Sequence, residues 1–409
     1  MIVAEETKNY VKSQFLKLMK RYFINLLLYN PQLYSFYNFF GSALLRFMSL
    51  FIRKSKKIIV FSCLGGRKYD DSPRCIYEAM LKDNRFEGYQ FVWAFNEPSK
   101  FVVPKAKKIK CDTITYYYYL LIASIWVTNS SMERGLYFKP DRIFNFNTWH
   151  GTPIKLMGTD IDEKYPGMKF KIRKSHEDVF LAQGKYDAAI FSRVFNIPYE
   201  NMRIIGLPRN DELVHKNTES FRDSIRADLG LSKNKKIILY APTFREYQRD
   251  TNNNCVLMPP ITINKWRSVL GDSYVLLFRA HYDIIKIMDI VDDDFVKNVS
   301  DYPRLNDLMI VSNVLISDYS SIFFDYSIQD KPMLCFSYDY EDYSKNRGMY
   351  FDIREELGGS FENEDDLLNE IVSLDYANKI KITQAFRAKY IDNYGYSTPK
   401  SIDIISEHI

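Results

Sequence analysis

A short stretch at residues 147–160, N-T-W-H-G-T-P-I-K-L-M-G-T-D, combines residue types that could do acid–base chemistry. The chain has five histidines, and one of them, His150, stands here between Trp149 and Gly151. Gly151 and Pro153 interrupt regular structure, so His150 is predicted to lie on a turn. A histidine in such a place is either a hydrogen-bonded turn residue packed beside Trp149 or, where it faces a ligand, a general base that works near neutral pH.

Four further polar motifs each begin near the end of an apolar run that is predicted to be a strand. They are G-L-P-R-N-D at 206–211, Y-A-P-T-F-R-E at 240–246, F-R-A-H-Y at 278–282 and I-S-D-Y-S-S at 316–321. In open parallel sheets the carboxyl ends of the strands border the crevice that binds ligands. We therefore expect these motifs to meet the W-H-G turn in one cleft.

The last of these motifs has a direct physical interpretation. A helix that starts at Ser320 and Ser321 offers free backbone N–H groups, two hydroxyls and the positive end of its dipole, which together can bind phosphate. Taken alone, the pair fits a plain Ser N-cap better. Arg209, Arg245 and Arg279 lie at or just beyond predicted strand ends, and they strengthen the anion-binding interpretation because a guanidinium can hold a diphosphate with two hydrogen bonds.

Several other kinds of site are disfavoured by the sequence. It contains no G-x-G-x-x-G and no G-K-S/T loop, so neither a dinucleotide enzyme nor a P-loop NTPase is expected. D-x-D spacing occurs at 160–162 and 292–294, but neither copy directly follows a predicted strand, and solvated loop acids are the favoured interpretation. The five scattered cysteines indicate reduced thiols. We expect no cofactor and no ordered metal site.

From residue 57 onward, short apolar runs alternate with helical patterns, which predicts parallel sheets covered on both faces. The predicted strands are 58–63, 90–95, 125–128, 144–148, 188–191 and 203–205, then 236–241, 274–279, 295–298, 314–317 and 333–336. The predicted helices include 73–82, 113–121, 220–229, 284–290, 304–312, 321–329 and 398–408. The fold class is therefore α/β, with two Rossmann-like domains at 58–215 and 216–409 that face a central cleft. The last helix is expected to cross back to the first domain.

Residues 1–57 are predicted to form a separate helical unit with a strong positive charge. They contain ten Lys or Arg and two acids, whereas the rest of the chain has a net charge of −3. Two helices that lie in an anionic membrane interface and are broken at Asn30-Pro31 are the favoured interpretation. Packed soluble helices and, with less support, a membrane-spanning helix over the uncharged run 22–45 stay open. The acidic start, MIVAEETKNY, is unlike a signal peptide.

In their order along the chain, the motifs resemble the signatures of the CDP-glycerol glycerophosphotransferases, which include the teichoic acid primases and polymerases of Gram-positive bacteria and related capsule enzymes. The resemblance is carried by W-H-G-T-P-I-K, G-L-P-R-N-D, Y-A-P-T-F-R-E, R-A-H, S-D-Y-S-S-I-F-F-D-Y and N-R-G-M-Y-F-D, and it covers roughly residues 58–395. One such motif is a weak signal, but six in order are specific.

This resemblance implies a GT-B-like fold and peripheral attachment to the cytoplasmic face of the bacterial plasma membrane. It implies that glycerol phosphate is transferred from CDP-glycerol, with release of CMP. The implied acceptor is a hydroxyl on an undecaprenyl-diphosphate-linked saccharide or growing polymer, in the synthesis of teichoic acid or capsule.

The resemblance also implies roles for single residues. His150 matches the family's proposed catalytic base, and His281 matches a second essential histidine near the donor phosphates. The other motif positions are assigned to substrate and donor binding, and they are Gly151, Thr152, Lys155, Arg209, Asp211, Thr243, Arg245, Glu246, Arg279, Asp318, Ser320 and Ser321. Glu246 stands where family members often have Asp. After 351–352 the chain reads I-R-E-E-L-G-G-S without the expected Pro-Gly-Pro, so the family's loop shape is not carried over.

Other functions stay open from the sequence. An enzyme that uses CDP-ribitol would share the motifs. A GT-B glycosyltransferase that uses a nucleotide sugar fits the cleft equally, and only the motif resemblance argues against it. A non-catalytic membrane scaffold is disfavoured because His150, His281 and the Ser320-Ser321 pair are intact. Nucleic acid is not an expected partner, because the excess positive charge is confined to the aromatic N-terminal segment instead of a basic groove.

Overall fold

The computed structural model describes residues 30–53, 55, 57–161, 175–243, 245, 258–280 and 290–409, together with the single positions 19 and 26. Two predicted site residues, Glu246 and His281, lie outside the described residues. The first predicted N-terminal helix, at 8–29 before the break at Asn30-Pro31, also lies outside the described residues, apart from positions 19 and 26. The predicted helix at 284–290 lies outside them apart from its last residue.

Two parallel sheets form the frame of the described part of the molecule. The strands are β1 Ile58–Ser62, β2 Gln90–Phe95, β3 Ala106–Lys110, β4 Ile125–Thr128, β5 Phe144–Asn147, β6 Val179–Ala182, β7 Met202–Ile204, β8 Lys236–Tyr240, β9 Tyr274–Phe278, β10 Val296–Asn298, β11 Val314–Ser317 and β12 Met333–Cys335. The first sheet has the order β3-β2-β1-β4-β5-β6-β7, and the second has the order β10-β9-β8-β11-β12. In each sheet the chain first adds strands on one side of β1 or β8 and then continues on the other side, with β4 or β11. The crevice at such a switch point is where α/β folds bind their ligands.

Helices cover the faces of both sheets. They are α1 Pro31–Phe51, α2 Asp71–Met80, α3 Ile114–Ile122, α4 Lys185–Val194, α5 Asp211–His215, α6 Glu219–Asp228, α7 Ile263–Leu270, α8 Leu305–Val311, α9 Ile322–Ser327, α10 Tyr340–Arg347, α11 Ile353–Glu356, α12 Glu364–Val372, α13 Tyr376–Tyr390 and α14 Ser397–Ser406. Apolar strands covered in this way bury nearly all of their side chains, as β1, β4, β9 and β11 do.

The predicted parallel α/β architecture is confirmed, with one wrong element. Residues 188–191, predicted as a strand, lie in helix α4. The start of that helix is fixed by Asp187, whose Oδ1 accepts the Gly184 N–H at 2.9 Å. The pattern also fails to predict the neighbouring strand β6 and the edge strand β3. The sequence of β3, A-K-K-I-K, buries only Ile109 fully, so it lacks the apolar signal of an inner strand.

Helix α14 packs on the first half of the molecule, which is built on the β1–β7 sheet. The other described elements from β8 onward belong to the second half, which is built on the β8–β12 sheet. Ile402 and Ile405 belong to the apolar core that contains Phe61 of β1. On its way there, the segment after α13 passes so close to Gly206 that a Cβ at this position would lie 2.5 Å from the carbonyl oxygen of Asn393. Gly206 also has a φ of +84°, so two independent constraints select glycine here.

Helix α1 starts at the predicted break, where the Asn30 side chain accepts the Leu33 N–H at 3.1 Å. Its inward face is largely polar: the Asn38 amide donates to Gly135 O, and the Ser42 hydroxyl accepts the Tyr137 N–H at 2.9 Å. Leu45 on this face joins the apolar core of the first sheet. The outward face carries large apolar side chains that are all more than half exposed, namely Phe36, Phe39, Phe40, Leu44, Phe47, Leu50 and Phe51. Most of the large apolar side chains of α1 therefore face away from the core. No helix within the described ranges has the length and apolar character needed to cross a bilayer.

Candidate active site

The turn after β5 holds the ring of His150 in one orientation. The ring lies against Trp149, with the two ring centroids 4.1 Å apart. Its Nδ1 is 2.7 Å from the carbonyl oxygen of Asn129, at the end of β4. A carbonyl oxygen only accepts hydrogen bonds, so Nδ1 must carry the proton of the neutral ring. The lone pair is therefore on Nε2, which is the atom that can act as a base.

The surroundings of His150 favour this neutral form. Burial lowers the pKa of His150 below its ordinary value of 6.5, and the nearby guanidinium groups of Arg209 and Arg67 lower it further. The hydrogen bond to Asn129 O and the carboxylate of Asp71 oppose the shift without reversing it. At neutral pH the ring is therefore ready to take up a proton.

His150 lines a cavity of about 520 Å³ between the two halves. The first half contributes residues that follow β1, β5 and β7, and the second half contributes residues that follow β8, β9, β10 and β11. Five of the predicted site residues line this cavity, namely His150, Arg209, Arg279, Ser320 and Ser321. The predicted convergence of strand-end motifs is thus observed for this group.

Gly151 brings the two halves into direct contact at the cavity. A Cβ on Gly151 would lie 3.0 Å from the hydroxyl oxygen of Ser321, and its φ of +157° disfavours other residues. Ser321 is the N-cap of α9 but makes no capping hydrogen bond with its side chain. Ser320 Oγ accepts only a long bond, from Ile322 N at 3.3 Å. Helix α9 has six residues, fewer than predicted, so the two hydroxyls are a stronger reason than the helix dipole to expect phosphate here.

The charge of Arg209 is already balanced by carboxylates. Its guanidinium donates to Asp71 of the first half and to Asp325 of the second, both at 2.8 Å. Nη1 also donates to the carbonyl oxygen of His150 at 3.0 Å. Burial alone would lower the pKa of Arg209, but Asp325 and Asp71 raise it, so the cation is permanent. Arg209 therefore ties the base-bearing turn to the second half. It also lines the cavity, and its predicted role in donor binding stays a prediction.

Arg279 differs from the other cavity arginines in its charge balance. Arg74 pairs with Glu212 at 2.9 Å and Arg304 with Asp307 at 2.8 Å. Within the described ranges, no carboxylate lies at ion-pair distance from Arg279, whose Nη1 donates to the carbonyl oxygens of Val299 and Tyr302. Burial lowers the pKa of Arg279, and the carboxylates of Asp70 and Asp301 oppose this shift without reversing it. An anion in the cavity would add opposing charge.

Arg245, Thr243 and Asp318 form a buried network instead of lining the cavity. Arg245 is 1% exposed and donates to Asp339 at 2.7 and 2.8 Å and to Asp318 at 2.9 Å. Asp318 also accepts the Thr243 N–H at 2.9 Å. The Arg245 guanidinium lies over the ring of Tyr343, 4.8 Å from its centroid. In this arrangement the Arg245 donors are used inside the second half, and Arg245 is not among the described residues that line the cavity. Its predicted role in donor binding stays a prediction.

Three other predicted binding residues are also engaged elsewhere. Thr152 is 1% exposed and donates to the Asp187 carboxylate at 2.9 Å. Asp211 accepts the Ser397 and Thr398 N–H groups at 2.9 and 2.6 Å, so it holds the start of α14. The ammonium of Lys155 lies over the ring of Tyr343, 5.3 Å from its centroid. None of the three lines the cavity in the part of the chain that is described.

Several cavity residues are not predicted from the sequence. The loop after β1 contributes Lys68, Asp70 and Asp71, and α9 contributes Asp325. Lys68, Asp70 and Asp71 could have been predicted, because their stretch L-G-G-R-K-Y-D-D follows a buried strand. Asp325 has no such signal, since an acid inside a helical pattern normally indicates a solvated face. No group of three or more His, Cys, Asp or Glu side chains in the described ranges is placed to hold a metal ion.

Comparison with known proteins places these observations in a family. The model of the CDP-glycerol:poly(glycerophosphate) glycerophosphotransferases matches residues 44–396. The chain is 36% identical over 346 residues to a teichoic acid poly(glycerol phosphate) polymerase of Staphylococcus epidermidis, covering 81% of this chain but 47% of that protein. It therefore spans about half the length of that relative.

Two further comparisons cover most of both partners. A teichoic acid glycerol-phosphate transferase of Staphylococcus aureus is 31% identical, over 78% of this chain and 85% of that protein. A solved structure of a variant of the wall teichoic acid polymerase TagF, soaked with CDPG, superposes with a TM-score of 0.78 at 33% identity, over 87% of this chain and 89% of that one. The overall architecture is thus shared with this solved structure.

Proposed function

The chain belongs to the CDP-glycerol:poly(glycerophosphate) glycerophosphotransferase family, and on that premise we propose that it transfers glycerol phosphate from CDP-glycerol to a hydroxyl of a teichoic acid acceptor. The observation that carries the proposal is the position of His150. Within the described residues, the hydrogen-bonded nitrogen of its ring is Nδ1, which leaves Nε2 as the basic atom. The ring lines a cavity with Ser320, Ser321 and Arg279, a cation that has no carboxylate at ion-pair distance in the described ranges.

These residues suit the steps of the transfer. The acceptor oxygen attacks the phosphorus that bears glycerol, and its proton passes to Nε2 of His150. The P–O bond to the cytidine monophosphate breaks, and CMP leaves with the electron pair on its phosphate oxygen. Arg279 and the hydroxyls of Ser320 and Ser321 would stabilise that charge, as fixed donors do in phosphoryl transfer. We propose that this charge stabilisation needs no metal ion. From the family resemblance, we propose that His281 also acts on these phosphates.

The pH dependence of the reaction follows from the lowered pKa of His150. Only the neutral ring accepts a proton, so kcat/KM should be high above this pKa and should fall as the pH drops through it. Because burial lowers the pKa, the midpoint of the acid limb is expected below 6.5. The measurement is the rate of CMP release as a function of pH at constant ionic strength. An acid limb with its midpoint above pH 7 would contradict the assignment of His150.

We propose that the acceptor is lipid-linked, an undecaprenyl-diphosphate saccharide or growing polymer, and that the protein works at the cytoplasmic face of the bacterial plasma membrane. The outward aromatic face of α1 and the basic run at 53–57 support this location. The polar bonds from α1 to the 135–137 loop would hold the first half at a set orientation to the membrane surface.

Membrane association can be tested on this face. The double variant Phe39→Asp/Phe47→Asp removes two side chains that are 66% and 59% exposed. Burial of one Phe contributes about 1.5–3 kcal/mol, so partitioning onto phosphatidylcholine vesicles that contain phosphatidylglycerol should weaken by at least about tenfold. Vesicle co-sedimentation measures this. Val372→Asp, at a residue 63% exposed in the second half, is the control and should bind as the wild type does. Equal binding by both variants would argue against the α1 face.

The proposed function is tested first by its donor. Calorimetry of the full chain in EDTA, with CDP-glycerol, CDP-ribitol, UDP-glucose and CDP, should show preference for CDP-glycerol. CMP release in the presence of a lipid-linked acceptor then tests the transfer itself. Preference for CDP-ribitol would change the polyol and keep the chemistry. Binding of UDP-glucose alone would indicate a sugar transferase, and binding of no donor by folded protein would indicate a scaffold.

A further inference from the structure

The turn that carries His150 is closed by the side chain of Asn147, the last residue of β5. Its Oδ1 accepts the Trp149 N–H at 2.9 Å. Trp149 has a φ of +52°, in the left-handed region that residues other than glycine rarely adopt. A local side-chain bond of this kind compensates for the unfavourable backbone conformation. Because Trp149 directly precedes His150, the same bond sets the direction in which the histidine ring leaves the chain.

Glu177 determines which way the Asn147 amide points. Asn147 Nδ2 donates to Glu177 Oε1 at 3.3 Å. The carboxylate needs a donor and the Trp149 N–H needs an acceptor, so only one amide orientation satisfies both partners. The backbone of Glu177 is itself held, because Asn201 Nδ2 donates to its carbonyl oxygen at 2.9 Å. Burial raises the pKa of Glu177, and the bond from Asn147 lowers it in part, which is the expected effect of a donor on an ionised carboxylate.

We propose that Asn147, oriented by Glu177, is a positioning residue that fixes the turn of His150 and thereby keeps Nε2 directed into the cavity. The inference rests on the proposed function, in which His150 is the base. Asn147 is 2% exposed and is not among the described residues that line the cavity, so it would act on the reaction through Trp149 and His150. Without the bond, the Trp149 backbone can leave the left-handed region. The Nδ1 bond to Asn129 O, and with it the single tautomer, would then be lost in part of the molecules.

Asn145 provides a matched control in the same strand. It lies two residues before Asn147, so both side chains are on the same face of β5. The two residues are similarly buried, at 5% and 2% exposure. The Asn145 amide also donates to the segment before β6, to the His176 carbonyl oxygen at 3.4 Å. The bond to the Trp149 N–H belongs to Asn147 alone of these two.

The experiment compares Asn147→Leu with Asn145→Leu in the full chain. For Asn147→Leu we expect kcat to fall by about 10–100-fold, since a displacement of about 1 Å in a catalytic group has effects of this size. The dissociation constant for CDP-glycerol, measured by calorimetry, should stay near the wild-type value, because the donor groups lie in the second half. Asn145→Leu should change neither quantity strongly. Equal losses in the two variants, or a loss of donor affinity that matches the loss of kcat, would overturn the inference.

A second readout does not depend on activity. The ¹⁵N NMR signals of the His150 ring, identified by their absence in His150→Gln, should show protonated Nδ1 in the wild type and in Asn145→Leu. In Asn147→Leu they should show a mixture of tautomers.

If His150→Gln keeps full activity, His150 is not the base, and the NMR spectra alone then test the positioning role of Asn147. An unchanged tautomer in Asn147→Leu would overturn that role. Should Asn147→Leu fail to fold, Asn147→Ser replaces it, since a hydroxyl accepts the Trp149 N–H more weakly. Its kcat is expected below that of Asn145→Ser, and equality would overturn the inference.

Discussion

Replacing His150 with alanine is expected to lower the turnover of glycerophosphate transfer by about 10²–10⁴-fold, the usual loss when a general base is removed. The affinity for CDP-glycerol should change little, because the donor is proposed to bind the second half through Arg279, Ser320 and Ser321. Single-turnover measurements of CMP release with saturating donor would give the rate, and calorimetry would give the affinity.

His150→Gln separates the base from its structural contacts. The glutamine amide can donate to Asn129 O, as the protonated Nδ1 does, but it has no basic nitrogen. Its turnover should therefore be as low as that of His150→Ala, with stability closer to the wild type. His408→Ala is the control, since His408 is exposed and stacks on Phe144, the first residue of β5, whereas the turn of His150 follows the last residue of that strand. If His150→Gln retained wild-type turnover, another group would have to be the base.

The fold was predictable to the extent that burial leaves a pattern in the sequence. Inner strands such as β4 and β11 are continuous apolar runs between turns, and their bounds agree with the prediction. The edge strand β3 is stabilised by backbone pairing with β2 and carries three lysines, so its composition resembles that of a loop. Residues 188–191 contain β-favouring side chains, but a capping interaction by Asp187 places them in a helix. The pairing of β3 with β2 is a tertiary contact and is not visible in local composition. The bond that starts α4 spans only three residues, but a pattern of apolar runs does not include it.

The sequence predicts which motifs lie near the candidate site, but it does not predict the hydrogen-bond and ion-pair partners of the single side chains. The position of a residue after a strand predicts that His150, Arg279 and the Ser320-Ser321 pair meet in a cleft, and all four line the cavity. The same rule places Arg245 and Asp211 in the cleft, although the first is buried with Asp339 and the second holds α14. Strand ends gather polar residues that bind ligands and polar residues that join the elements of the fold. Which of the two a residue does depends on its partners, and these are distant in sequence.

Arg209→Met is expected to destabilise the protein more than any other single change at the cavity. The side chain of Arg209 is 11% exposed, and it neutralises Asp71 at 13% and Asp325 at 7% exposure. Removing one partner of a buried ion pair leaves uncompensated charge and costs about 3–5 kcal/mol. Thermal unfolding followed by circular dichroism should show a large drop in Tm. Turnover should fall as well, because Arg209 also binds the carbonyl oxygen of His150.

A triple variant tests why Arg209→Met is expected to lose stability. If unpaired carboxylates cause it, the triple variant Arg209→Met/Asp71→Asn/Asp325→Asn should regain much of the lost Tm, because it removes both charges that the single variant leaves buried. Arg193→Met is the control: Arg193 is 55% exposed and pairs with Asp160 at the surface, where such pairs contribute about 0–1 kcal/mol. A triple variant no more stable than Arg209→Met would mean that packing, not charge, joins the two halves here.

Turnover should stay low in the triple variant whatever its Tm, since neutralising the carboxylates does not restore the bond to the His150 carbonyl. Stability and catalysis are therefore expected to separate at this residue, which is the behaviour of a group that holds the halves together and the base in place at once.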